Sequence, residues 1–135
     1  MGVPQPSLRY MDTQPFWDGV RERRLVLQVC SDTRRFQHPP RPVSIFTGSR
    51  RLEWAQVSGR GHVAAFTIVA PSRANPAERQ CIVTVTLEEG VRIAGKLLGP
   101  HAAAMVGAPV RLAWEIMANG EPYPAFELDP SGERT

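Results

Sequence analysis

Lysine is almost missing from this chain, with Lys96 alone against fifteen arginines, a skew that reflects codon composition more than ligand choice. Cysteine is nearly as scarce. Cys30 and Cys81 allow one disulfide at most, and without an export signal both are read as thiols in a reducing interior. No stretch approaches the roughly 18 consecutive apolar residues of a membrane helix. The N-terminus MGVPQPSLRY lacks an apolar signal core. Membrane insertion and export are therefore not expected, and the expected location is cytoplasmic. Low-complexity stretches and internal sequence repeats are lacking too.

What remains is the composition of a folded domain. The 135 residues are 42% hydrophobic and 21% charged, with a net charge of +3, and their mean hydropathy is -0.24. Long intrinsic disorder needs lower hydrophobicity and higher net charge. One compact unit of this size buries enough surface to need neither metal nor disulfide for its main core. The charge is unevenly placed. Between Arg21 and Arg60 nine arginines face three carboxylates for a net +6, and the other 95 residues sum to -3. A basic third of this kind suits phosphate groups or a solvated surface.

From Asp12 to Arg24 the run DTQPFWDGVRERR begins with cap-type residues, tolerates Pro15 in its first turn and sets Phe16, Trp17 and Val20 at helical spacing. A short helix is expected, weakened by Gly19 and lying against its own core or a partner. Leu25 to Val29 is apolar and β-branched. From Cys30 to Arg51 the chain is rich in arginine and proline, and Pro39, Pro40 and Pro42 exclude regular helix or central strand. After Leu52 come five β-segments separated by turn residues. The first is expected to be one long strand, bent at Ser58-Gly59-Arg60-Gly61 between two sheet layers. Hairpins are expected around Glu88-Glu89-Gly90 and Ala118-Asn119-Gly120, a loop over Pro71 to Glu78, and a short helix over Pro100 to Val106. Five strands with a short element after the third is the layout of an OB-fold barrel.

Nothing in this pattern assembles into a catalytic centre. Cys81 falls in a strand of alternating Ile82, Val83, Thr84 and Val85, where a thiol is structural. Neither His62 nor His101 has a partner evident in sequence, and His38 stands among prolines. Glu88 and Glu89 resemble a carboxylate pair, yet neighbours in a hairpin turn point to opposite faces and into solvent. The Ser58-Gly59-Arg60-Gly61 segment lacks the further glycine, lysine and helix start of a phosphate loop, so Ser58, Gly59 and Gly61 are read as shaping the barrel.

Phe16-Trp17, the run LVLQVC from Leu25 to Cys30, Pro39-Pro40-Arg41-Pro42, Leu52-Glu53-Trp54, Ser58-Gly59-Arg60-Gly61 with Phe66-Thr67, and Leu87-Glu88-Glu89-Gly90 occur in one register. In this the chain resembles the OB-fold acyl-CoA-associated proteins of bacteria and archaea. The resemblance covers about Phe16 to Phe126. It implies a mainly β protein, with a five-stranded OB-fold barrel preceded by a short N-terminal helix and a rubredoxin-like ribbon. Residues 1–24 would form the tail and helix, 25–54 the ribbon, and 55–130 the barrel. The resemblance further implies a non-catalytic accessory subunit of a thiolase-like enzyme or aldolase acting on acyl-CoA esters, as in steroid or fatty-acyl side-chain metabolism. A MaoC-like hydratase is the alternative partner.

The ribbon departs from its family. A zinc ribbon needs two Cys-x-x-Cys knuckles, because four thiolates complete a tetrahedral site. Here the four positions hold Cys30, Thr33, Ser44 and Thr47. Hydroxyls stay protonated where thiols would ionise, so zinc is expected to be absent and no other cofactor is indicated. In its place Phe36, Val43 and Ile45 are expected to pack the module against the barrel or helix. Phe16, Trp17 and Val20 are the expected partner anchors. Arg34, Arg35, Arg50 and Arg51 are the expected contacts to acyl-CoA phosphates. The assembly would be a hetero-oligomer or a homo-oligomer. A nucleic-acid-binding OB-fold is the competing class, but the second and third barrel segments carry no aromatic on which bases could stack.

Overall fold

The computed structural model describes residues 13–70, 79–100 and 104–131. One helix and eight strands follow in order: α1 (Gln14–Arg21), β1 (Val26–Cys30), β2 (Phe36–Gln37), β3 (Leu52–Gln56), β4 (Arg60–Val69), β5 (Gln80–Leu87), β6 (Arg92–Leu98), β7 (Pro109–Ile116) and β8 (Pro122–Leu128). The first three strands form an antiparallel sheet in the order β2-β1-β3, and the other five close a barrel in the order β4-β5-β6-β8-β7. The chain is thus mainly β, with an OB-type barrel behind a ribbon-like sheet. No helix among the described residues is long and apolar enough to cross a membrane.

Strict alternation builds the barrel wall. On β5, Cys81, Val83, Val85 and Leu87 are buried while the residues between them are half-buried. Their cross-strand partners Leu97, Gly95 and Ile93 on β6 share that inner face. Phe126 of β8 fills the centre and is fully buried. Turn glycines at Gly90 and Gly120 adopt positive φ, as the two expected hairpins require.

The segment read as one bent strand is in fact two strands in different sheets. β3 pairs with β1 through Leu52↔Cys30 to Gln56↔Val26, whereas β4 pairs with β5 and, over Arg60–His62, with β7. Val57, Ser58 and Gly59 make the crossing. Gly59 has φ +80, and a Cβ there would lie 2.5 Å from the Cβ of Leu112 on β7, so both backbone and space demand glycine. Glu88 and Glu89 brace this bend from the β5–β6 hairpin. The Ser58 amide donates to Glu89 Oε2 at 2.8 Å, and Arg60 Nε donates to Glu88 Oε1 at 3.1 Å. The expected helix over Pro100 to Val106 does not appear in its described part, where Met105 to Ala108 forms a turn. Residues 101–103, with His101, lie outside the described residues, as does the expected loop from Pro71 to Glu78.

Helix α1 is shorter than its sequence run and packs on β1 and β8. Gly19 is buried, and a Cβ there would lie 2.8 Å from both Val26 Cγ2 and the Arg24 carbonyl. The glycine that weakens the helix therefore lets it approach the sheet. Phe16 meets Trp17 edge-on with centroids 5.2 Å apart, and stacks on His38 at 6.1 Å. Trp17 in turn lies 6.3 Å from Tyr123 on β8. Four rings so link the ribbon-like sheet, the helix and the barrel.

Two outcomes are expected from this packing. Gly59→Ala should cost about 2–3 kcal/mol through strain and overpacking, read as a lower urea midpoint. Gly120→Ala, with positive φ but open space around it, should cost only about 1 kcal/mol. Burial pushes the His38 imidazole below its ordinary range. The unfolded chain takes up that proton near pH 6.5, so stability present above that pH is lost as the pH falls toward the lower folded value. Urea midpoints measured from pH 7 to pH 5 should fall in the wild type and fall less in His38→Gln.

Candidate functional site

The ribbon-like sheet brings the four knuckle positions into one polar cluster. Cys30 ends β1 fully buried, and its thiol is hydrogen-bonded by the side chains of Ser44 and Thr33 and by the backbone at Thr33 and Asp32. These bonds, the Ser44 hydroxyl first, hold the thiol at about 7, below its ordinary value, against the opposing effect of burial. Ser44 is itself buried, and its Oγ accepts the amides of Phe46 at 3.1 Å and Thr47 at 3.3 Å. Thr33 Oγ1 accepts the Arg35 amide. This donor set does not fit a tetrahedral zinc. It offers one sulfur, and the hydroxyls are already committed to amides and to that sulfur.

The apolar packing expected to hold this module is only partly present. Phe36 packs against the core, but Val43 is 37% exposed and Ile45 58% exposed. Two buried glutamines hold the loop instead. Gln28 of β1 and Gln37 of β2 are cross-strand partners, joined by Gln37 Nε2 donating to Gln28 Oε1 at 2.6 Å. Gln28 also donates to the Arg41 carbonyl and accepts the Arg41 amide, each at 2.9 Å. Gln37 donates to the Val43 carbonyl at 3.1 Å and accepts the Ile45 amide at 2.9 Å. Sequence reading missed both residues, because glutamine is ordinarily a surface residue; the signal available was Gln28 inside the otherwise apolar run LVLQVC.

The other expected site residues are dispersed. Phe16 and Val20 are buried in the chain's own core, which removes them as partner anchors. Trp17 stays half-buried beside Tyr123. Tyr123 is 39% exposed, and Ile116 and Met117 at the β7–β8 hairpin are more so. Of the four arginines, Arg34 pairs with Glu53 at 2.9 Å and Arg51 with Asp32 at 2.8 Å. Arg35 lies over the Phe46 ring, 4.0 Å from its centroid. Arg50 is exposed. The two ion pairs are solvent-exposed, and such pairs contribute little and exchange readily.

Among the described residues, several groups able to do acid–base or nucleophilic work are occupied structurally. Cys81 is fully buried opposite Leu97, and burial raises its thiol. Glu88 is held below the usual carboxylate range, first by its hydrogen bond from Arg60 and then by one from Ser58. His62 lies on β4 opposite Thr86 and Pro109. The sole lysine pairs Lys96 Nζ with Glu115 Oε2 at 2.7 Å, spanning β6 and β7.

Comparison with known proteins agrees with this architecture. Residues 17–43 match the family described as ChsH2, rubredoxin-like zinc ribbon domain. Residues 54–115 match the family described as ChsH2, C-terminal OB-fold domain. The chain is 37% identical over 108 residues to the 3-oxo-4,17-pregnadiene-20-carboxyl-CoA hydratase alpha subunit of Mycobacterium tuberculosis, an alignment covering 76% of this chain and 33% of that protein. It therefore spans about a third of that relative's length. It is 31% identical over 99 residues to a DUF35 domain-containing scaffold protein of Pyrococcus furiosus, covering 72% of this chain and 68% of that one. Among solved structures, a chain of an Ltp2-ChsH2(DUF35) aldolase superposes with a TM-score of 0.79 at 26% identity, covering 92% of this chain and 98% of the other.

Proposed function

Because the chain belongs to the DUF35 family, which joins a ChsH2-type zinc ribbon to an OB-fold, we propose that it is a non-catalytic accessory subunit docking on a thiolase-like aldolase that acts on acyl-CoA esters. The observation that carries this reading is the superposition with a chain of the Ltp2-ChsH2(DUF35) aldolase, which takes in nearly all of both chains. The catalytic side chains would then come from the partner. Steroid or fatty-acyl side chains are the proposed substrate class, and the cytoplasm the proposed location.

The surface that supports docking lies at the β7–β8 hairpin and the helix. Trp17, Tyr123, Ile116 and Met117 present aromatic and apolar area there, the residue types enriched at interface hot spots. Arg50, with Arg34, Arg35 and Arg51 exchanging their present contacts, would meet coenzyme A phosphates. The hydratase-subunit name of the mycobacterial relative favours a second reading, in which the partner is a MaoC-like acyl-CoA hydratase.

Tagged full-length chain recovered from its native extract is expected to bring down a thiolase-like aldolase in stoichiometric amount, identified by mass spectrometry. Replacing Trp17 and Tyr123 by alanine should reduce that recovery at least tenfold, the effect of losing about 1.4 kcal/mol or more. Recovery of a hydratase would establish the second reading. Recovery of the chain alone, or with nucleic acid, would overturn both.

A further inference from the structure

Residues 30–35 and 44–49 trace one turn twice, fourteen positions apart. The amide of Cys30 donates to the Arg35 carbonyl at 2.8 Å, and that of Ser44 to the Ser49 carbonyl at 2.8 Å. Arg34 donates back to the Cys30 carbonyl at 2.8 Å, and Gly48 to the Ser44 carbonyl at 2.9 Å. The fifth residue of each turn has positive φ, 61° at Arg34 and 73° at Gly48. Thr33 Oγ1 takes the Arg35 amide and Thr47 Oγ1 the Ser49 amide, both at 3.2 Å. The first side chain of each turn accepts from the backbone two and three residues on. For Cys30 these are Asp32 and Thr33; for Ser44 they are Phe46 and Thr47. Only the threonines are shared in sequence.

Two such turns, each folding backbone donors around a leading sulfur or oxygen, are the frame of a metal knuckle pair. In a zinc ribbon the metal is the crosslink that sets one knuckle against the other. Here that place is filled by side-chain amides. Gln37 lies on β2 just beyond the first turn, and its amide clasps Val43 and Ile45, the residues on either side of Ser44. Gln28, two residues before Cys30 on the same face of β1, completes the clasp through Gln37 and Arg41.

We propose that this chain retains both knuckle turns of a zinc ribbon as metal-free hydrogen-bonded turns, with the Gln28–Gln37 pair as the crosslink in place of the metal. The turns then remain able to hold a metal once thiols return to positions 33, 44 and 47.

The test uses the full chain expressed in zinc-supplemented medium. Wild type is expected to carry well under one zinc per chain and to melt at the same temperature with and without a chelator. Gln37→Leu strands the Val43 carbonyl and the Ile45 amide and leaves Gln28 with its Arg41 bonds alone, and should lower melting by roughly 5–10 °C. T33C/S44C/T47C should bind one cobalt(II) with tetrahedral thiolate absorption, and in that background zinc should recover most of the Gln37→Leu loss. One tightly held zinc on the wild type would overturn the proposal. So would a folded triple variant without tetrahedral cobalt, or a Gln37→Leu loss that zinc leaves untouched. Should the triple variant not fold, Gln37→Leu in the wild-type background still decides, since unchanged melting refutes the crosslink.

Discussion

The hydrogen bond between two buried glutamines, Gln28 and Gln37, is the interaction on which the N-terminal half depends. Pro39, Pro40 and Pro42 remove three amides from the loop that follows β2, so this stretch cannot extend the sheet by backbone pairing. The Gln28 amide meets the loop at both backbone polar groups of Arg41, and Gln37 meets it at Val43 and Ile45. A half-satisfied network of this kind would be worse than an apolar one. Among the described residues no buried side-chain nitrogen or oxygen lacks a partner, so the network is complete.

That closure allows β1 to be buried on both faces. Leu27 and Val29 point away from the loop while Gln28 and Cys30 point into it, and all four are nearly inaccessible. With one face occupied by the polar clasp, the other is free to join α1 and the barrel in a single core that runs from Phe16 and Leu25 to Phe126. The stacked rings of His38 and Phe16 then lie where loop, helix and sheet converge.

How much of this the sequence discloses follows from where each signal resides. The five barrel strands were legible because alternation and turn glycines are local, and β5 shows the pattern without interruption. The split between β3 and β4 was not, since alternation is the same whichever sheet a strand joins. Phe16 and Val20 were recognised as apolar anchors, but the sequence does not say whether an amphipathic helix meets its own core or another protein. The glutamines and the repeated turn were hidden for a related reason. Their partners are largely backbone groups, and backbone groups are the same in every sequence.

The crossing from β3 to β4 leaves only Val57, Ser58 and Gly59 between two sheets, and each side is tied. The Val57 amide is held by the Leu25 carbonyl, and Ser58 by Glu89. A connection this short and this well bonded has no slack, so it acts as a strut and not as a hinge. Whatever grips the barrel therefore fixes the bearing of the ribbon as well, and a torque applied at one end is delivered at the other.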